Sequence, residues 1–207
     1  METMEFFQEV FYYALNMKVL EFLGFAFGVL CVLFLIRQSI LTWPLGIAYV
    51  LISFVIFIQA RLYADFILHI FFLGMNIYGW YYWVYGKKSG QEEVPVTTIG
   101  FNTWAALLII SVLGIMAWGY LLNTYTDASL AYWDSTTSVL SFAAMWLTAR
   151  KKIENWMWWL VVDVLATGIY FYKDLYFYCL LYLFYIGMAI AGYLAWKKTM
   201  NQSVVAA

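Results

Sequence analysis

The sequence predicts an all-α integral membrane protein with seven transmembrane helices, arranged as a 3+1+3 parallel internal repeat. Three observations support this fold class. First, 66% of the 207 residues are hydrophobic and only 11% are charged, whereas a soluble domain averages roughly 25% charged residues. Second, apolar runs of about 20 residues, the length that crosses a bilayer, follow one another along the chain. Third, the first three runs resemble the last three.

The predicted spans are separated by short polar breaks or by proline. They cover residues 19–36, 43–60, 64–85, 104–122, 129–148, 156–172 and 175–196. Residues 1–18 carry apolar side chains on one helical face, which favours a short helix lying in the membrane interface, with disorder as the alternative. The predicted units are therefore this interfacial segment (1–18), a first repeat (19–85), a linker with the connecting helix (86–128), a second repeat (129–198) and a cytoplasmic tail (199–207).

The internal repeat is visible as one residue pattern at a fixed offset. The pattern L-Y-x4-L-x2-F-x2-G-M-x-I-x-G-x3-W covers residues 62–83 and recurs without a gap at residues 175–196, 113 positions later. Trp43 matches Trp156 at the same offset. The two copies are four crossings apart, so the halves run in the same direction through the membrane. A binding site is expected between such halves.

The basic residues predict an orientation, because Lys and Arg are enriched in cytoplasmic loops. Three of them fall on one side of the predicted spans: Lys18, Arg61 and Lys173. Eight fall on the other side: Arg37, Lys87, Lys88, Arg150, Lys151, Lys152, Lys197 and Lys198. We therefore expect a cytoplasmic C-terminus and an external N-terminus.

Polar groups inside apolar spans are costly and are usually functional. Residues spaced by three or four lie on one helical face. The third span has such a face, made of His69, Phe72, Asn76 and Trp80. The sixth span has another, made of Trp156, Trp159, Asp163 and Tyr170. The seventh span adds Tyr182 and Tyr185, at the positions that match His69 and Phe72.

Asp163 is the carboxylate furthest from any span end, and no Lys or Arg lies in the middle of a span. A carboxylate without a protein cation favours a cationic ligand, and aromatic faces also attract cations. The two faces together therefore predict a cavity for a flat, cationic, heteroaromatic small molecule, with Asn76 reading its polar edge. His69 has the alternative of being a packing residue. Asn76 has the alternative of bridging two helices.

Tryptophans near span ends are typical of the aromatic belt at the membrane interface. Trp43, Trp83 and Trp196 lie at such positions and are expected in that belt.

Several motifs resemble the PnuC family of vitamin transporters over nearly the whole chain: NIYGWYYW (76–83), YWDS (132–135) and TARKKIENW (148–156). The resemblance implies a fold similar to SWEET-type sugar transporters. It also implies a bacterial inner-membrane facilitator that carries nicotinamide riboside, thiamine or riboflavin, with cytoplasmic kinases trapping the vitamin after entry.

The resemblance also assigns individual residues. Asn76 is the amide of the NIYGW motif, Gln59 matches a glutamine at the end of the second span, and Trp156 belongs to the ENW motif. The family's nicotinamide-riboside members have a glutamine at the position of His69 and an asparagine at that of Asp163. These two differences favour thiamine as the substrate, with nicotinamide riboside or riboflavin as alternatives.

The predicted substrate-binding residues are Asp163, Asn76, His69, Trp159, Gln59, Phe72, Trp80, Tyr170, Tyr182, Tyr185 and Trp156. The vitamin and the lipid bilayer are the expected partners, a homo-oligomer is possible, and nucleic acid, cofactor and metal are not expected. A membrane enzyme is disfavoured by the single histidine and by the lack of a GxSxG motif. A primary pump is disfavoured because the chain has no phosphate-binding G-x4-GK-[ST] loop. Ion-coupled transport remains an alternative to uniport.

Overall fold

The computed structural model describes residues 2–60, 63–87, 89, 92–126 and 129–205. Arg61, Leu62 and Lys88, which entered the sequence predictions, lie outside the described residues. The described chain is all-helical, with eight α-helices: α1 (Glu2–Asn16), α2 (Val19–Ile36), α3 (Thr42–Ala60), α4 (Tyr63–Tyr85), α5 (Phe101–Tyr125), α6 (Ala131–Ala149), α7 (Asn155–Tyr172) and α8 (Tyr176–Val205).

The helices α2 to α8 correspond in order to the seven predicted spans, and α1 forms within the predicted interfacial segment. Among the described residues, four helices are long and apolar enough to cross a membrane: α2, α3, α5 and α8. The helices α4, α6 and α7 have 23, 19 and 18 residues. Helix α8 continues to Val205, through most of the predicted tail, because no Gly or Pro follows Trp196 to end it.

Helices that are consecutive in each half pack against each other, and two further contacts join the halves. Helix α2 packs on α8, and α4 packs on α6. Helix α5 packs on α6, and α1 packs on α8. In the α1–α8 contact the Tyr13 ring lies 4.8 Å from the Phe177 ring, and the Tyr13 hydroxyl lies 3.1 Å from that of Tyr178. The seams α2–α8 and α4–α6 therefore join the two halves.

Helix α5 exposes a broad apolar face. Leu108, Ile109, Val112, Leu113 and Met116 are each more than half exposed. Water would make this exposure costly, whereas lipid tails are as apolar as these side chains. The face is therefore suited to contact with the bilayer.

The turns α2–α3 and α6–α7 have the same backbone geometry. Gln38 and Lys151 adopt positive φ angles of 55° and 53°, a conformation that is uncommon for residues other than glycine. The N–H of Gln38 donates to the Leu35 carbonyl oxygen at 2.9 Å, and the N–H of Lys151 donates to that of Thr148 at 3.0 Å. The two donor residues are 113 positions apart in the sequence, and the two acceptor residues are also 113 positions apart.

Two tryptophan–glycine contacts also occur at this offset. The Trp43 ring lies against Gly79, and the Trp156 ring lies against Gly192. A Cβ atom added at either glycine would overlap the ring beside it. The absence of a side chain on α4 and α8 therefore lets an indole from α3 and α7 pack on the helix backbone.

Four indoles form one buried cluster that joins the halves. The rings of Trp43 and Trp83 lie 5.2 Å apart, those of Trp156 and Trp196 lie 5.5 Å apart, and both pairs are T-shaped. The rings of Trp83 and Trp196 meet across the halves at 6.1 Å. All four side chains are at most 7% exposed. The expectation that Trp43, Trp83 and Trp196 lie in an interfacial belt is therefore wrong, because these rings are buried among the helices of the bundle.

The segment between α4 and α5 pairs with the α6–α7 turn. The N–H of Thr97 donates to the Lys151 carbonyl oxygen at 3.2 Å, and the N–H of Ile153 donates to the Thr97 carbonyl oxygen at 3.0 Å. Lys152 Nζ donates to Thr97 Oγ1 at 2.8 Å. The Ile99 N–H donates to the Glu154 carboxylate at 3.0 Å. The linker is thus fixed to the second half by backbone and side-chain hydrogen bonds.

Lys151 is buried beneath this linker. Its ammonium lies 3.4 Å from the Glu93 carboxylate and 4.6 Å from the centre of a Trp83 ring. Burial lowers the pKa of Lys151, and the nearby charge of Glu93 opposes this effect. The ammonium therefore connects the linker, the α6–α7 turn and the tryptophan cluster.

Candidate functional site

Asp163 lies in the middle of α7 and is only 6% exposed. Its backbone carbonyl oxygen accepts a hydrogen bond from the Thr167 hydroxyl at 2.7 Å. Within the described ranges, no hydrogen bond or ion pair joins the Asp163 carboxylate to another side chain. A buried carboxylate is costly unless it is paired or hydrogen-bonded, so a positively charged ligand would stabilise this one.

Tyrosines of α8 lie near the carboxylate, and one tyrosine of α7 packs against them. The Asp163 carboxylate interacts electrostatically with the hydroxyls of Tyr182 and Tyr185. The rings of Tyr170 and Tyr182 are stacked at 5.2 Å with an interplanar angle of 24°. The rings of Tyr182 and Tyr185 meet edge to face at 5.8 Å. The second half of the protein therefore offers a carboxylate near a group of packed tyrosine rings.

Tyr49 of α3 extends this group into the first half. It interacts electrostatically with both Tyr182 and Tyr185. The Tyr185 hydroxyl also reaches α2, where a Cβ added at Gly28 would lie 3.1 Å from it. Tyr49 was not among the predicted residues, because a single tyrosine within an apolar run gives no signal of its own. The only indication in the sequence was that Tyr49 immediately precedes Val50, the residue that corresponds to Asp163 at the 113-residue offset.

His69 of α4 lies within an aromatic cage and is 6% exposed. Its ring centroid is 4.6 Å from that of Phe57, 5.4 Å from that of Phe72 and 5.9 Å from that of Tyr49. The contacts with Phe57 and Phe72 are edge to face. The imidazole is therefore connected to the Asp163 group through Tyr49.

Asn76 lies two turns further along α4 and is 4% exposed. Its Nδ2 donates to the Phe72 carbonyl oxygen of its own helix at 2.8 Å. Its Oδ1 packs against Gly46 of α3. The carboxamide therefore has a defined orientation at the contact between α3 and α4.

The predicted site residues fall into two groups. Contacts connect Asp163, Tyr170, Tyr182, Tyr185, His69, Phe72 and Asn76 into one path across the bundle. Trp159 packs on the same apolar cluster as Phe72, and its Nε1 donates to Thr148 Oγ1 at 3.1 Å. The other three lie elsewhere: Trp156 belongs to the tryptophan cluster, Trp80 is 39% exposed, and Gln59 is exposed near the end of α3.

The group is suited to holding a charged flat molecule. A carboxylate and ring faces attract a cation, and tyrosine hydroxyls and an amide offer hydrogen bonds. Among the described residues, no group of three or more His, Cys, Asp or Glu side chains is placed to hold a metal ion.

Comparisons with known proteins agree with a transporter architecture. The Nicotinamide riboside transporter PnuC of Escherichia coli (strain K12) is 28% identical over 216 residues, which cover 90% of this chain and 88% of that protein. The Riboflavin/roseoflavin transporter RibM of Streptomyces davaonensis is 27% identical over 181 residues, covering 85% and 83%. A solved structure, "Crystal structure of the Vitamin B3 transporter PnuC", matches with a TM-score of 0.73 at 21% identity, covering 97% of this chain and 90% of that chain.

The solved structure supports the all-helical fold, since the likeness extends over nearly all of both chains. The family model for the Nicotinamide mononucleotide transporter matches residues 18–198, which include α2 to α7 and most of α8. This range covers both predicted repeats and every predicted site residue. The chain therefore belongs to the nicotinamide mononucleotide transporter family, the PnuC family of membrane transporters that its motifs resemble.

Proposed function

We propose that the protein carries a cationic heteroaromatic vitamin, with nicotinamide riboside as the first candidate, across the bacterial inner membrane by facilitated diffusion. The observation that carries this proposal is the buried carboxylate of Asp163 beside Tyr182 and Tyr185. A pyridinium ring would supply the positively charged partner for this carboxylate. The aromatic faces around it then add cation–π attraction, which strengthens when water is excluded.

The choice between vitamins depends on two kinds of observation. The substitutions at His69 and Asp163 favour thiamine, whose thiazolium is also a cation. The relatives described above are named for nicotinamide riboside and riboflavin, and their names support the alternative rather than thiamine. Nicotinamide riboside also has a carboxamide for Asn76 to read. We therefore place nicotinamide riboside before thiamine and riboflavin.

The transport mechanism is proposed as uniport, since the chain has no phosphate-binding loop of the pump type. Purified protein in liposomes should bring radiolabelled nicotinamide riboside to equal concentrations inside and outside, without ATP or an ion gradient. Protein-free liposomes are the control, and unlabelled thiamine and riboflavin serve as competitors. Accumulation above the external concentration under an imposed proton gradient would instead indicate ion coupling. Uptake of thiamine alone would overturn the order of substrates.

We also propose that all seven helices from α2 to α8 cross the membrane as a 3+1+3 parallel repeat. The matched backbone turns at Gln38 and Lys151 support this arrangement. So do the contacts of Trp43 with Gly79 and of Trp156 with Gly192 at the same 113-residue offset. The vitamin would then pass between two similar halves that move relative to each other.

The distribution of Lys and Arg assigns the C-terminus to the cytoplasm in this proposal. A fluorescent protein fused to the C-terminus should therefore be fluorescent in bacterial cells, and alkaline phosphatase fused at the same place should be inactive. Fusions at the N-terminus provide the comparison and should give the opposite pattern. An active C-terminal phosphatase would reverse the orientation.

A further inference from the structure

Gly46 of α3 and Asn76 of α4 are in close contact at the candidate site. A Cβ added at Gly46 would overlap Asn76 Oδ1 and would lie 3.0 Å from Asn76 Cγ and 3.4 Å from Asn76 Nδ2. The three nearest atoms to this position therefore all belong to one carboxamide, and none belongs to the backbone of α4. Because the amide nitrogen is held by the Phe72 carbonyl oxygen, the carboxamide is fixed on both edges.

Glycine inside a helix has a cost, since alanine is more favourable there. Gly46 lies well within α3, and its φ is outside the left-handed region that would require glycine. Glycine can also serve to bring two helix backbones together, but here the space left by the missing side chain is occupied by the Asn76 amide. The contact with Asn76 is therefore the feature of this position that requires glycine.

The corresponding pair in the second half is different. At an offset of 113, Gly46 matches Trp159 and Asn76 matches Ala189. The neighbouring pair of Trp43 with Gly79, in contrast, has an identical counterpart that makes the same contact. The framework is thus the same in both halves. At this one pair the small residue is on α3 in the first half, whereas it is on α8 in the second.

We propose that Gly46 is a specificity-determining residue, whose missing side chain sets the Asn76 carboxamide to select a ligand ring bearing a carboxamide. The inference rests on the proposed function, since it concerns how the same site distinguishes its ligands. Gly46 acts through Asn76 and does not itself touch the ligand. The exchanged pair makes the two halves different at this point, with the Asn76 amide in the first half and the Trp159 indole in the second.

The test compares nicotinamide riboside with pyridine riboside, which has the same cation and sugar but no carboxamide. Gly46→Ala should weaken the binding of nicotinamide riboside about tenfold, the factor expected for one lost hydrogen bond. The binding of pyridine riboside should not change. Gly74→Ala on α4 is the matched control, because a Cβ there would meet nothing within 4 Å. If Gly46→Ala weakens both ligands equally, Gly46 serves only packing and the inference is wrong.

Further variants separate this inference from the proposed function. A wild-type protein that binds neither riboside overturns both. If Asn76→Ala lowers the preference for nicotinamide riboside and Gly46→Ala does not, only the inference is lost. In the Asn76→Ala background, Gly46→Ala should have no further effect, since the group it displaces is already absent. If Gly46→Ala alone does not fold, this double variant should fold, and its failure to do so would assign Gly46 to packing.

Discussion

Replacing Asp163 with asparagine should weaken the binding of the cationic vitamin by about thirtyfold or more. Removing one partner of a desolvated charge pair costs roughly 2–5 kcal/mol, which corresponds to that factor at its lower limit. Because no other side chain in the described chain pairs with this carboxylate, no nearby group can replace it. Titration calorimetry on the purified wild type and variant would measure the change.

Asp174→Asn is the matched control for this prediction. Asp174 is exposed after the end of α7, and its φ of 55° is one that asparagine tolerates well. The same chemical change there should leave ligand affinity as it is. Unchanged affinity of Asp163→Asn for every tested vitamin would place Asp163 outside the binding site and would remove the main support for the proposed function.

The double variant Asp163→Asn with His69→Gln separates the two cationic substrates. It recreates the pair of amides that the family resemblance implies for nicotinamide-riboside members. A higher affinity for nicotinamide riboside in the double variant would indicate that the wild-type site is of the thiamine type. A loss of affinity for nicotinamide riboside would indicate that this carboxylate already serves that vitamin.

Alanine at Gly79 or at Gly192 should destabilise the protein by about 1–3 kcal/mol, the usual cost of overpacking. At both positions the new Cβ would overlap an indole, that of Trp43 or that of Trp156. The indoles are 1% and 2% exposed and have little room to move. Thermal unfolding in detergent, followed by size-exclusion chromatography, would measure the loss of stability.

The chain contains an internal control for these two variants. Gly74 and Gly187 are also separated by 113 residues, and a Cβ at either would meet nothing within 4 Å. Alanine at these positions should leave the stability unchanged or slightly raise it. A structural repeat requires the same change in stability at both members of a pair, Gly79 with Gly192 and Gly74 with Gly187. It also requires that the two pairs differ from each other. A large loss at Gly79 with none at Gly192 would contradict the equivalence of the halves.

The helices could be predicted from the sequence because apolar runs and polar breaks mark them directly. Helix α2 begins and ends at the predicted residues, and α3 and α4 each begin one residue earlier than predicted. The tight turns could not be predicted, because Gln38 and Lys151 adopt positive φ without being glycine. Their conformation is imposed by the helices that they join, and residue type alone does not reveal it.

The direction in which an aromatic side chain points was also not visible in the sequence. Trp43, Trp83 and Trp196 lie near span ends, where lipid-facing and protein-facing indoles have the same sequence context. Burial between the halves depends on contacts between α4 and α6 and between α2 and α8, which are distant in sequence. Tyr49 was missed for the same reason, since its neighbours Tyr182 and Tyr185 come from the other half.

The docked linker has a consequence for how the polypeptide is divided. Although it follows α4 directly, its hydrogen bonds through Thr97 and Ile99 go to the turn before α7. From Thr97 onward the linker is therefore attached to the second half of the protein. During synthesis the linker leaves the ribosome before the α6–α7 turn, so its hydrogen bonds to that turn can form only after α6 and α7 have been made. A gene split at Gly86 would leave the linker on the second fragment, together with the turn that binds Thr97 and Ile99.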